Sequence, residues 1–152
     1  GGGGGGGWEA ASVGGGVVCH QGSTYIYTEP DSCVGFWFAL EDATLENGCM
    51  QFIPGAHKGP LKKRNYRKSD GKLITEILDD TPWPEERKVA AEAEAGTLVI
   101  FAGRAPHLSA ANRSSRSRHA YTLHVIDRKC RYPAENWLQR SDDLPLRGFD
   151  QG

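Results

Sequence analysis

His20, His107 and Arg116 are the residues whose types and spacing could carry chemistry in this chain. His20 ends the strand-like run "VVCH" and is followed by Gln21 and Gly22, so the frame of a His-x-Asp motif is present with glycine in place of the carboxylate. Residues i and i+2 of a strand share a face, which is why His-x-Asp can offer two donors to one ion. His107 follows the run "TLVIF" and the turn "AGRAP", an order that places a second imidazole on another wall of a small barrel. Two imidazoles and one carboxylate on one octahedral face, with three positions open, form the donor set of non-heme Fe(II) oxygenases. Two of those three donors are present. Arg116 lies nine residues beyond His107 in "HLSAANRSSRSR" and precedes the β-patterned "HAYTLHVI". A hairpin of that length can return a guanidinium beneath the metal, where its planar fork grips a carboxylate such as that of 2-oxoglutarate.

Other titratable residues read as ordinary. His57 sits in the turn "PGAHK", and Arg113 and Arg118 read as surface charges of an Arg/Ser-rich loop. His119 and His124 are five residues apart on a strand, so at most one faces the interior. Glu29 and Asp31 lie past the end of the second strand, too far along to replace the missing carboxylate.

The elements that must hold these groups are mostly strands, by their β-branched and aromatic content and the short spacing between turn signals. Expected strands are 17–20, 23–28, 34–40, 49–53, 89–95, 97–101 and 118–126. Asn47-Gly48 is a strong hairpin signal and predicts that two antiparallel strands meet there, with Pro54-Gly55 as a second turn. "AENWLQ" reads as a short helix. "KGPLKKRNYRK", residues 58–68, holds six basic side chains in eleven positions. It reads as a solvated loop, or as a lid whose charges meet an anionic substrate. Many short strands with few helices predict a small barrel or sandwich.

Composition narrows the function classes. The 152 residues suffice for one domain with a core. Eighteen basic against nineteen acidic side chains leave a net charge of -1, so no bulk field draws the protein to nucleic acid or to an anionic membrane. The longest apolar runs fall far short of the roughly 20 residues of a membrane helix, and the start of the chain shows no basic-then-apolar leader pattern. A soluble, cytoplasmic protein is expected. Cys19, Cys33, Cys49 and Cys130 have no paired metal-ligand spacing and read as reduced thiols. Ten of the twenty glycines fall within residues 1–16, which separates a glycine-rich, linker-like segment from a domain at 17–152.

Four stretches together carry a family resemblance: "HQGSTYIYTEP", "FWFALEDATLENGCMQFIPGAHK", "AGTLVIFAGRAPHLSAANRSSRSRHAYTLHV" and "ENWLQ". On these the chain resembles the phytanoyl-CoA dioxygenase family. The resemblance implies a mainly β fold with a double-stranded β-helix (jelly-roll, cupin-like) core, here without the family's N-terminal half. It implies an Fe(II)- and 2-oxoglutarate-dependent dioxygenase that hydroxylates a small organic, lipid-like or acyl-CoA substrate while 2-oxoglutarate becomes succinate. By position, His20 and His107 would bind iron, Arg116 would hold the 2-oxoglutarate carboxylate, and Trp37 would line its pocket; Trp37 could equally be plain core. Gly22 stands where the family has its Asp ligand. That departure leaves three outcomes: an ordinary hydroxylase, a catalytically silent binding module, or a halogenase-like enzyme with chloride at that position.

Overall fold

The computed structural model describes residues 15–146, and its nine strands form three antiparallel sheets. The strands are β1 (Val17–His20), β2 (Val34–Ala39), β3 (Met50–Phe52), β4 (Lys63–Arg67), β5 (Leu73–Ile77), β6 (Val89–Ala91), β7 (Leu98–Ala102), β8 (His107–Ser109) and β9 (Ala120–Val125). One sheet has the order β1-β8-β3-β6, the second β7-β2-β9, and β4-β5 is a separate hairpin. Neighbours in the two larger sheets are distant in sequence, as a jelly roll requires. The glycine-rich segment assigned to residues 1–16 lies, up to residue 14, outside the described residues.

Alternation along β2 builds the interior. Gly35, Trp37 and Ala39 are buried while Val34, Phe36 and Phe38 are half-exposed, the period-2 pattern of a strand with one face on a core. Trp37 and Ala39 pack with Phe101 of β7, Met50 of β3, Cys49 and Ala43, so the core lies between the two larger sheets. Gly35 has no substitute here, because a Cβ at that position would meet the Phe101 ring at 2.5 Å. The opposite face of the β7-β2-β9 sheet is also apolar: Leu98, Ile100, Tyr121 and Leu123 are exposed there.

Several expected elements differ. Residues 23–28 do not form a strand. The chain tightens into a 3-10 turn at Gly22–Thr24, with the Thr24 amide donating to Gln21 O, and the Tyr25 and Ile26 amides to Gly22 O. These local bonds consume the donors that a ladder would need. Asn47-Gly48 does turn, with Gly48 at φ 84°, but it joins no hairpin: β2 pairs with β7 and β9, whereas β3 pairs with β6 and β8. The turn instead carries the chain from one sheet to the other. "AENWLQ" is not helical; the Asn136 side chain is fully buried and donates to Tyr27 O at 2.7 Å, which ties the segment down as an irregular strap.

The basic stretch is a loop only in part: residues 63–67 pair in full register with 73–77, and two of the stretch's charges, Arg64 and Lys62, are engaged within the molecule. Arg64 stacks over Tyr27 at 4.3 Å and meets Glu135 at 3.1 Å. Lys62 is buried, donates to Asp79 at 2.9 Å and lies over the Trp83 ring at 4.7 Å. No helix among the described residues is long and apolar enough to cross a membrane, and all four cysteines are free.

Candidate functional site

β1 and β8 are adjacent strands, and their register sets His20 directly opposite His107. His107 therefore stands beside His20 in one sheet, not on a separate wall as the spacing suggested. β8 has only three residues, too few to show a pattern in the sequence. Between Val17 and His20, β1 has one residue more than β8 has over the facing Ser109–His107 span, a bulge that locally re-aims the side chains. The two imidazole centroids are 4.2 Å apart.

Backbone carbonyls orient both rings. His20 Nδ1 lies 2.9 Å from Val18 O and His107 Nδ1 2.9 Å from Ala105 O. A carbonyl only accepts, so each Nδ1 carries the proton and each Nε2 keeps its lone pair. That is the tautomer a metal ion requires, oriented by the kind of backbone contact that metal-ligating histidines use. His107 is buried against Phe101 and Phe52, with ring centroids at 4.8 and 5.7 Å. Burial, with the like charge of His20 adding to it, pushes its pKa down to about 4, so His107 is neutral and able to ligate across the physiological range.

Gly22 opens the 3-10 turn directly after β1. The turn is held to the end of β7 by Ser23 N donating to Gly103 O at 3.0 Å. A Cβ at residue 22 would meet Gly103 O at 3.5 Å and His124 Nε2 at 3.7 Å. Both are ordinary contacts, so a longer side chain fits, but glycine brings no donor. Asp31 accepts from Ser23 Oγ at 2.8 Å and from Arg104 Nε at 3.0 Å, and Glu29 pairs with Arg131. Neither carboxylate turns toward the imidazoles. Among the described residues no three His, Cys, Asp or Glu side chains could hold a metal ion together. The donor set of the described residues thus fits a metal ion at two positions, His20 and His107, with no third side-chain donor beside them.

Exposure separates Arg116 from Arg118. Arg116 lies in the loop before β9 with its side chain 72 % exposed, facing Asp42 at 3.7 Å. Arg118 is 8 % exposed. Glu41 explains why: its carboxylate accepts from Ser117 Oγ at 2.8 Å and from His119 N at 2.8 Å, and meets His119 Nδ1 at 3.0 Å. These bonds, the His119 amide first, hold Glu41 down at about 2. With Ser117 and His119 pinned outward, Arg118 between them points in. It extends the inward row of β9, where Ala120, Thr122 and His124 pair with Ala39, Trp37 and Gly35 of β2. The Arg118 charge reaches the Cys49 thiol in the Trp37 cluster. Trp37 itself is 4 % exposed and inside the core. Strand parity back from Ala120 would have selected 118, had the start of β9 been known.

Sequence reasoning also missed Gln21, which is 1 % exposed. Its Oε1 accepts from Lys62 N at 2.9 Å, and its Nε2 donates to Arg104 O at 3.0 Å and Pro60 O at 3.2 Å. It clamps the end of β1 to the loops before β4 and β8, and so fixes the residues on either side of it, His20 and Gly22.

The sequence profile of phytanoyl-CoA dioxygenase (PhyH) matches residues 8–120. The chain belongs to the phytanoyl-CoA dioxygenase family. Among curated members it is 46 % identical over 133 residues to a phytanoyl-CoA dioxygenase of Arabidopsis thaliana, covering 85 % of this chain and 45 % of that protein. It is 39 % identical over 138 residues to the phytanoyl-CoA dioxygenase domain-containing protein 1 of Danio rerio, covering 88 % and 47 %. The chain thus spans about half the length of the curated relatives it matches. Among solved structures, the non-heme α-ketoglutarate-dependent carbocyclase SnoK from nogalamycin biosynthesis superposes with a TM-score of 0.67 at 24 % identity, covering 93 % of this chain and 56 % of that one. EvdO2 from Micromonospora carbonacea var. aurantiaca, complexed with 2-oxoglutarate, superposes with a TM-score of 0.62 at 23 % identity, covering 88 % and 55 %. At these identities the likeness shows the fold, a jelly roll of the cupin-like kind.

Proposed function

We propose that this chain is the metal- and cosubstrate-binding half of a non-heme Fe(II)- and 2-oxoglutarate-dependent dioxygenase acting on a small organic or lipid-like molecule. The observation that carries the reading is the pair of facing imidazoles, each with Nδ1 given to a backbone carbonyl and Nε2 free. His20 and His107 would hold the iron through Nε2. Bound there with 2-oxoglutarate, iron supplies the oxidising power to place oxygen from O2 on a C–H bond, with succinate and CO2 as coproducts.

The chain's own residues do the positioning. Val18 O and Ala105 O keep the imidazoles in one tautomer and orientation. Phe101 and Phe52 wall His107 from water, which strengthens every polar contact in the site. Arg118, already directed inward by the Glu41 clamp, takes the role first given to Arg116 and pairs bidentately with the distal carboxylate of 2-oxoglutarate. Trp37 would line that pocket from β2. Family membership supports the general reaction class, and solved neighbours described as α-ketoglutarate-dependent agree with it.

A second reading is favoured by one observation, the missing third donor at Gly22: the domain binds 2-oxoglutarate or a related acid without turning it over. Succinate formation from 2-oxoglutarate with Fe(II) and O2 separates the two, measured with and without chloride on this chain and on Gly22→Asp. Turnover by the unmodified chain supports the dioxygenase. Turnover only by Gly22→Asp makes the domain a silent binder, and chloride-dependent turnover points to halide chemistry. Failure of both proteins to bind Fe(II) overturns the iron site.

A further inference from the structure

The inward row of β9 ends at His124, opposite Gly35 of β2. The earlier members of the row, Ala120 and Thr122, lie beneath the core, whereas His124 reaches the open rim and is exposed. Its Nε2 stands 3.7 Å from the point where a side chain at residue 22 would begin. Its charge acts on His107, and that of His20 acts on both, so the three imidazoles share one electrostatic neighbourhood.

His124 differs from the other two in one respect. His20 and His107 each commit Nδ1 to a carbonyl, while among the described residues no hydrogen bond holds the His124 ring. A rim histidine of this kind is ordinarily just solvated. Here, however, it borders the place that a carboxylate at residue 22 would occupy. Among the described residues no three His, Cys, Asp or Glu side chains are arranged to grip a metal directly, which points to a role through a ligand from solution.

We infer that His124 donates a hydrogen bond from Nε2–H to a small anion occupying the coordination position beside Gly22, and so selects what binds there. The inference rests on the iron site proposed above. Glycine at 22 leaves unfilled the place beside His124 Nε2 where a side chain would begin, and His124 supplies the polar contact that a carboxylate at 22 would make redundant. His124 is thus a positioning residue for the exogenous ligand.

The test uses Co(II) in place of iron and azide or chloride as the probe, with anion affinity read from the visible ligand-field spectrum. His124→Phe removes the donor and should weaken azide binding by about tenfold or more, the weight of one hydrogen bond to a charged group. His124→Gln retains a donor and should recover most of that loss. In a Gly22→Asp background the dependence on residue 124 should vanish. Cobalt binding with azide affinity indifferent to His124→Phe would overturn this inference and leave the metal site standing. Loss of cobalt itself in His124→Phe would make His124 a direct ligand, and would equally overturn it. No cobalt binding by the unmodified chain would overturn the metal site and this inference with it.

Discussion

Gly22→Asp should create a stronger metal site at almost no cost to the fold. The nearest atoms to a Cβ there are Gly103 O at 3.5 Å, Gly103 Cα at 3.7 Å and His124 Nε2 at 3.7 Å, none close enough to force a shift. The backbone at Gly22 is not in the left-handed region, so an L side chain is unstrained. Removing a glycine from the unfolded chain stabilises by about 0.4–1 kcal/mol. Partial burial of the new carboxylate opposes this, which leaves the metal-free variant within about 1 kcal/mol of the parent. The gain appears with metal. At a free metal concentration of 100 Kd the folded state is stabilised by about 2.7 kcal/mol, against about 1.4 kcal/mol for a site tenfold weaker. For a chain of this size the difference is roughly 3–5 °C in Tm. Thermal unfolding of both proteins, with and without Co(II) or Mn(II), reads it directly. Equal metal-induced shifts would refute the placement of residue 22 at the metal, as would a shift that survives His107→Ala.

Three further outcomes follow from the packing. Gln21→Leu strips partners from the buried Lys62 amide and from the Arg104 and Pro60 carbonyls, and should cost about 2–4 kcal/mol in urea unfolding; a loss under 1 kcal/mol would mean that Gln21 is no clamp. Burial holds the folded pKa of His107 at about 4, below the ordinary histidine value of 6.5, so the unfolded chain binds the extra proton first. Metal-free stability is therefore full above pH 6.5 and falls by about 3 kcal/mol as the pH drops toward 4. Urea midpoints across that window should show the slope, and His107→Phe should flatten it; Glu41, held at about 2, titrates in a lower window. On the outer face of the β7-β2-β9 sheet, Ile100→Thr and Leu123→Thr should each change stability by less than about 0.5 kcal/mol, because both side chains are exposed in the described structure; a larger loss would show that something packs on that face.

Strand content was legible because it rests on local signals, and His20 and His107, which the structure sets side by side, stood out by residue type and position. β2 alternates over six residues, and "TLVIF" and "AYTLHV" carry dense β-branched and apolar patterning. β4 was hidden because its residues are basic, and the tertiary partners Tyr27 and Glu135 make the Arg64 charge compatible with a sheet. The turn at Asn47-Gly48 was legible as a turn, but which sheet each flanking strand joins depends on pairings with strands far along the chain, β2 with β7 and β3 with β6. Which arginine of the loop is buried was hidden for a related reason. Arg113, Arg116 and Arg118 are equivalent as sequence, and the choice is made by Glu41, a residue of the distant β2–β3 connection, which turns Ser117 and His119 outward.

The most direct test of the account is anaerobic 2-oxoglutarate binding to the Fe(II)-loaded chain, compared between Arg118→Met and Arg116→Met. Removing one partner of a buried, bidentate charge pair costs about 2–5 kcal/mol, so Arg118→Met should weaken 2-oxoglutarate by roughly 30-fold or more while iron binding is retained. Arg116→Met, which removes only an exposed charge facing Asp42, should change it by less than about threefold. A loss of affinity in Arg116→Met with Arg118→Met unaffected would contradict the site described above, as would retention of iron and 2-oxoglutarate after His20 and His107 are both replaced by alanine.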